Sequence, residues 1–133
     1  MRPGEEKAGR VRVSSGSPFE ATVGFSRAVR AGDRIVVSGT APVWPDGSCP
    51  PEVGVQARRC CEIILAALAE AGAGPEAVVR TRIYLTSAGD ATEVGAVHAE
   101  VFGVARPAAS MVVVAALLDP RWRVEIEAEA VIG

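Results

Sequence analysis

Residues 123–132 read Arg-Val-Glu-Ile-Glu-Ala-Glu-Ala-Val-Ile, so apolar and charged side chains alternate along this stretch. A period of two predicts a β-strand with one apolar face and one polar face. The apolar face consists of Val124, Ile126, Ala128, Ala130 and Ile132. The opposite face consists of Arg123, Glu125, Glu127 and Glu129. We expect the apolar face to meet helices and the glutamates to face away from them.

A strand predicted over residues 76–85 has the complementary charge. Its Arg80, Arg82 and Tyr84 alternate with Val79, Thr81, Ile83 and Leu85. We therefore expect the two strands to be neighbours, with Arg–Glu ion pairs across a face that no helix covers. The alternative is an ordinary solvated sheet face, on which each exposed pair contributes only about 0.2–1 kcal/mol.

The rest of the chain supplies two helices and four more strands. Apolar residues at helical spacing predict helices over 52–71, ended by Gly72, and over 90–102. The further strands are expected over residues 10–13, 23–30, 34–39 and 110–118. The resulting order, β-β-β-α-β-α-β-β, predicts an α+β fold with one mixed six-stranded sheet and both helices on one face. We expect residues 1–9 to form a flexible tail and residues 10–133 to form a single domain.

The strand predicted over residues 110–118 is apolar on both sides. One side holds Ala109, Met111, Val113 and Ala115, and the other holds Ser110, Val112 and Val114. Such a strand is normally covered on both faces, whereas helices on one face cover a sheet only once. We expect another subunit to provide the second cover.

Composition excludes several classes of protein. The 133 residues are 49% hydrophobic and carry a net charge of −2, which argues against a nucleic-acid partner. No apolar run approaches the roughly 18 residues that span a membrane, and the first ten residues lack the apolar core of a secretory signal. We therefore expect a cytoplasmic protein without a membrane partner. The three cysteines form no Cys-x-x-Cys motif and there is one histidine, so neither disulfides nor a metal site is expected.

Four features in order along the chain resemble motifs of the Rid family of reactive intermediate deaminases, also called YjgF-like proteins. They are the Gly-Asp-Arg-Ile-Val-Val-Ser-Gly of residues 32–39, a middle region with Gln56, Leu68, Gly72 and residues 79–85, the Arg-Pro-Ala-Ala-Ser of residues 106–110, and the Val-Glu-Ile-Glu-Ala of residues 124–128. The third departs from the family's Pro-Ala-Arg-Ser. The resemblance covers about residues 23–132.

This resemblance implies a chorismate-mutase-like fold and a homotrimer with small-molecule clefts between adjacent subunits. Active Rid proteins hydrolyse reactive enamines and imines to 2-oxo acids and ammonia without any cofactor. The chemistry needs a cation for the substrate carboxylate and a carboxylate that orients water.

The resemblance also implies a set of site residues. Ser38 and Gly39 match pocket positions, and Glu125 matches the carboxylate near the attacking water. Other pocket positions hold residues that differ from the family pattern, namely Phe25, Gly95, His98, Ala109 and Met111. Ala109 stands where active members have the arginine that grips the substrate carboxylate.

Alternatives remain open for several of these residues. Arg106 or Arg82 could replace the missing arginine. Glu125 could instead be an ion-pair partner of Arg80 or Arg82. For His98, a surface or interface role competes with acid–base chemistry.

Two functions are compatible with this pattern. The first is a cofactor-independent hydrolase or deaminase that acts on C=N bonds, with standard 2-imino acid activity put in doubt by Ala109. The second is a non-catalytic trimer that binds a small metabolite or regulates another protein. Ribonuclease activity is the weakest reading, because the chain lacks a basic patch.

Overall fold

The computed structural model describes residues 5–6 and 9–133. Its strands are β1 (Glu5–Glu6), β2 (Arg10–Val13), β3 (Ala28–Ala31), β4 (Arg34–Thr40), β5 (Val78–Leu85), β6 (Ala108–Val113) and β7 (Val124–Val131). Its α-helices are α1 (Val53–Ala71) and α2 (Ala91–Phe102). Short helical turns lie at Glu20–Gly24, Pro75–Ala77 and Ala88–Asp90.

All described strands form one mixed sheet in the order β1-β2-β3-β4-β7-β5-β6. β5 and β6 are parallel, as expected for strands joined through a helix, and the other neighbours are antiparallel. The predicted adjacency of the Arg-bearing and Glu-bearing strands is confirmed, because Arg82 is in register with Glu127 and Tyr84 with Glu125.

The core lies between the sheet and the two helices. α1 packs against α2 and against β2, β3, β4 and β7. Ile64 and Leu68 of α1, Phe102 of α2 and Ile126 of β7 are almost completely buried there. α1 ends as predicted at Gly72, whose left-handed φ of 98° is one that side-chain-bearing residues rarely adopt.

The strand predicted over residues 23–30 is wrong in its first half. Residues 20–24 form a π-helical turn, and β3 begins only at Ala28. Glu20 holds this turn, since its carboxylate accepts hydrogen bonds from the Ser14 hydroxyl at 2.8 Å and from the Ser15 amide at 2.9 Å, and also from the Ser15 hydroxyl. A local side-chain network therefore overrides the apolar alternation.

Two other predictions about the strands are corrected. β6 ends at Val113 instead of Leu118, because its partner β5 ends at Leu85, the residue in register with Val113. On β5 the register shifts between Val78 and Arg80. As a result Val78 is buried and Val79 is exposed, although the sequence placed Val79 on the core side.

The sheet also has one more strand than the six predicted. β1 pairs with β2 and lies within residues 1–9, the stretch expected to be a flexible tail. Apart from Gly9, the other residues of this stretch lie outside the described part of the chain.

Candidate functional site

The face of the sheet opposite the helices, here called the open face, carries a row of charged side chains. Arg82 Nη1 lies 3.9 Å from a carboxylate oxygen of Glu127 and 3.9 Å from one of Glu129. Arg34 Nη2 lies 3.1 Å from Glu129 Oε2, and the Tyr84 hydroxyl donates to Glu127. The predicted Arg–Glu pairs across β5 and β7 therefore form, and they employ Glu127 and Glu129.

Glu125 differs from the other two glutamates of β7. Arg82 pairs with its neighbours instead of with Glu125, contrary to one alternative drawn from the sequence. Burial raises the pKa of the Glu125 carboxyl, although the nearby positive charge of Arg27 opposes this effect. A carboxyl of this kind exchanges protons closer to neutral pH than an exposed glutamate does.

Gly39, which lies at a bulge in β4, leaves room for the Glu125 carboxyl. The pairing of β4 with β7 shifts register between Val37 and Thr40, at Ser38 and Gly39. A Cβ atom on Gly39 would lie 2.8 Å from Glu125 Oε1, so any larger residue would displace the carboxyl. The Ser38 hydroxyl donates to the Ser26 carbonyl at 2.6 Å and fixes the bulge to the segment before β3.

Arg27 is the residue of this site that the sequence analysis missed. Its side chain lies on the open face, because the next residue, Ala28, is buried on the helix side. Its Nη2 donates to the Gly39 carbonyl at 2.6 Å, and burial lowers its pKa while the charges of Glu20 and Glu125 raise it. The signal that could have found it is its place two residues after Phe25, on the same side of an extended segment.

Phe25 lies at the margin of this group. It follows the π-helical turn, and its amide donates to the Glu20 carbonyl at 2.9 Å. Its ring is more than one-third exposed. Ser38 and Gly39 lie on β4 and Glu125 lies on the neighbouring strand β7, whereas Phe25 directly follows the turn. With Arg27 they form the group we call the Glu125 half-site.

The other predicted residues lie elsewhere. Ala109 is in register with Thr81, and Met111 with Ile83, so both side chains are on the helix side of the sheet. His98 on α2 also reaches Thr81, with Nε2 and Oγ1 2.8 Å apart. We call Ala109, Met111, His98 and the neighbouring Gly95 the β6 group. One chain does not bring it together with the Glu125 half-site.

His98 has a structural environment. Its ring centroid lies 5.1 Å from that of buried Phe102, and its hydrogen bond to Thr81 ties α2 to β5. Burial lowers the pKa of the imidazole, so the neutral form predominates at pH 7.

The two arginines considered as replacements are placed differently. Arg82 is engaged with Glu127 and Glu129. Arg106 is exposed and immediately precedes Pro107 and β6, with an unusual φ of 47° and its amide bonded to the Phe102 carbonyl. Neither lies in the Glu125 half-site.

The cysteines belong to packing rather than to chemistry. Cys60 and Cys61 are buried in α1. Burial raises the pKa of both thiols, that of Cys61 to about 12, so neither is an ionised nucleophile at neutral pH. Within residues 5–6 and 9–133, no three His, Cys, Asp or Glu side chains cluster as metal ligands would. No helix in that part of the chain is long and apolar enough to cross a membrane.

The topology and the residues of the open face define an α+β protein of chorismate-mutase-like fold. The sequence profile of the family described as Endoribonuclease L-PSP matches residues 15–132. The chain therefore belongs to this family, whose members are also called YjgF or Rid proteins. The resemblance seen in the motifs and the predicted fold class are both confirmed.

Individual relatives match over nearly the whole chain. An uncharacterized protein of Streptomyces coelicolor is 41% identical over 125 residues, 92% of each chain. The crystal structure of Rv2704 from Mycobacterium tuberculosis, a member of the YjgF/YER057c/UK114 family, is 48% identical with a TM-score of 0.85, covering 92% of this chain and 99% of that chain. The structure of E. coli TdcF with bound serine is 27% identical with a TM-score of 0.77, covering 92% and 94%.

Proposed function

We propose that this protein is a homotrimer that binds a small metabolite in clefts between subunits and hydrolyses a reactive imine or enamine there. In this arrangement each cleft combines the Glu125 half-site of one subunit with the β6 group of its neighbour. No cofactor takes part in the reaction.

Support for a shared cleft comes from the separation of the two groups within one chain. The Glu125 half-site faces away from the helices, whereas Ala109 and Met111 face the helix side at the sheet edge. Every residue of β6 is exposed, including the apolar Met111, Val112 and Val113. A second copy would cover this strand and bring the two groups into contact.

The observation that carries the hydrolase proposal is the half-buried Glu125 carboxyl against Gly39, with its pKa raised by burial. Hydrolysis of an imine adds water across the C=N bond, and loss of ammonia from the adduct then leaves a carbonyl. A carboxylate can take a proton from the attacking water and return one to the departing nitrogen, and positioned acid–base groups contribute roughly 10²–10⁴-fold to a rate. We assign this role to Glu125.

A non-catalytic metabolite-binding trimer is the second candidate. It is favoured by Ala109, whose methyl group cannot bind a carboxylate, and by the E. coli relative that holds a serine. Ribonuclease activity has the least support, since a chain with a net charge of −2 offers no overall electrostatic attraction to a polyanion.

The test is hydrolysis of 2-aminoacrylate generated in situ by a serine dehydratase, with semicarbazide trapping the imine that escapes. We expect the wild-type protein to lower semicarbazone formation and Glu125→Gln to lose most of this effect. Glu62→Gln, which changes an exposed glutamate of α1, is the matched control. Semicarbazone formation equal to that without protein would contradict the hydrolase proposal and leave the binding trimer.

A further inference from the structure

We propose that Arg27 holds the carboxylate of a small anionic ligand beside Glu125, so that the binding cation and the proton-transferring group come from the same half-site. The inference deepens the proposed function and rests on it for the nature of the ligand. It assigns the ligand's charged end to a residue that precedes β3, distant in sequence from Ala109.

The Arg27 guanidinium has unused hydrogen-bond donors. A guanidinium has five N–H donors, yet among the described residues the side chain of Arg27 has one acceptor, the Gly39 carbonyl. Its Nε is enclosed by protein and has no hydrogen-bond partner there. Among the described residues Nη1 has no acceptor either, and unlike Nε it is not completely enclosed, so it is available to a ligand.

The Arg27 guanidinium is held in a fixed orientation beside Glu125. The bond from Nη2 to the Gly39 carbonyl fixes the guanidinium against the β4 bulge. The Glu125 carboxyl lies against the same glycine. A carboxylate bound to the terminal nitrogens of Arg27 would therefore place its neighbouring carbon close to Glu125, as hydrolysis at an α-imino carbon requires.

Three other arginines of the open face are already paired with a glutamate or lie far from Glu125. Arg34 pairs with Glu129, and Arg82 lies between Glu127 and Glu129. Arg80 is in register with Glu129, four residues from Glu125, which is about 13 Å along a strand. Arg27 is the arginine whose charge acts directly on Glu125.

The chemistry of a guanidinium favours a carboxylate as the ligand. The planar guanidinium suits a carboxylate, which accepts two parallel N–H bonds, better than it suits a neutral carbonyl. Burial lowers the pKa of Arg27, and an arginine remains charged at neutral pH even so. A small 2-oxo or 2-imino acid has the required group at one end and the reacting carbon next to it.

The experiment measures binding of pyruvate and of its neutral analogue pyruvamide by titration calorimetry. Arg27→Gln should weaken pyruvate binding roughly 10–100-fold, the usual effect of losing a charge-assisted hydrogen bond, and change pyruvamide binding by less than about 3-fold. Arg27→Lys keeps the charge without the planar fork, so its affinity for pyruvate should lie between those of the wild type and Arg27→Gln. Arg34→Gln, the removal of an exposed arginine on the same face, should change neither affinity.

The outcomes separate this inference from the hydrolase proposal. Unchanged pyruvate affinity in Arg27→Gln overturns the inference, even if the wild-type protein hydrolyses 2-aminoacrylate. Equal losses for pyruvate and pyruvamide in both Arg27 variants also overturn it, because they indicate a purely structural role. Pyruvate binding that depends on Arg27 in a protein without hydrolysis supports the inference and removes the hydrolase. A wild-type protein that binds neither compound overturns the inference, whereas the hydrolase proposal is decided by semicarbazone formation alone.

Discussion

At the scale of single residues, the ionised form of Glu125 destabilises the folded protein. Its pKa is raised above the ordinary value, mainly by burial, so the folded protein favours the protonated carboxyl. Because the folded-state pKa of Glu125 is raised, its protonated carboxyl stabilises the fold. This contribution is fully present below the unfolded-state pKa and is lost as the pH rises through the folded-state pKa. At neutral pH the ionised group therefore reduces the free energy of unfolding.

We predict that Glu125→Gln is more stable than the wild-type protein at pH 7, because glutamine resembles the protonated acid. The difference should shrink as the pH falls and vanish near about pH 4, below the ordinary glutamate pKa. Urea unfolding at several pH values measures this. Glu62→Gln should show no such trend, and a Glu125→Gln protein less stable than the wild type at pH 7 would show that the carboxylate's bonds outweigh its burial.

The residues of the half-site were predictable to different degrees. Gly39 and Glu125 came from motif resemblance, and their contact explains why a glycine occupies that position. Arg27 escaped because it lies outside the four motifs, the first of which begins at Gly32, and because a single sequence does not show that its side chain reaches the Gly39 carbonyl. His98 was assigned to the pocket by analogy, whereas its bond to Thr81 is a contact across the core that one sequence cannot reveal.

At the scale of elements, Gln56 connects three parts of the chain. It is completely buried in α1. Its Nε2 donates to the carbonyls of Pro50 at 2.8 Å and Arg121 at 2.9 Å, and its Oε1 accepts from the Arg123 amide at 2.8 Å. The loop before α1 and the turn before β7 are thus held against the helix, and the start of β7 sets the position of Glu125.

We predict that Gln56→Leu lowers the free energy of unfolding by about 3 kcal/mol or more. Leucine fills a similar volume but removes three part-buried hydrogen bonds, those to the Pro50 and Arg121 carbonyls and to the Arg123 amide, and each loss costs about 1 kcal/mol or more. Glu70→Leu, a replacement at an exposed position of the same helix, should change stability by less than about 0.5 kcal/mol. Denaturant unfolding curves of the two variants provide the comparison, and near-equal midpoints would refute the proposed connection.

Elements with strong periodicity were predicted well. α1, α2, β4 and β7 begin and end within two residues of the sequence-based bounds. The errors occur where pairing with a neighbouring strand determines the end or the register of a strand. β6 stops where β5 stops, and the bulge near Val79 arises from pairing with β7. Apolar patterns alone contain no information about the length of a neighbouring strand.

At the scale of the whole molecule, β6 is an unprotected sheet edge. It pairs with β5 on one side, and all six of its residues are exposed. Monomeric proteins usually protect such an edge with charges, prolines or a covering segment. The apolar side chains here instead fit the trimer proposed above.

We predict that Val112→Lys converts the proposed trimer to single chains, because Val112 is in register with Tyr84 and faces the open side of the sheet. A lysine there would leave a charge in the interface without a partner. Light scattering measures the mass. Val55→Lys, at a similarly exposed valine of α1, should remain a trimer. A Val112→Lys protein of unchanged mass would place the interface elsewhere.

The position of β7 bears on how the protein is made. This strand lies between β4 and β5, yet residues 124–131 follow all other elements along the chain. As the polypeptide leaves the ribosome, β2–β4 and β5–β6 emerge as two separate fragments of sheet, each with an unpaired inner edge. The two fragments can be joined only when β7 has been synthesised. A chain truncated before residue 124 would therefore lack the central strand and leave the edges of β4 and β5 unpaired and prone to aggregation.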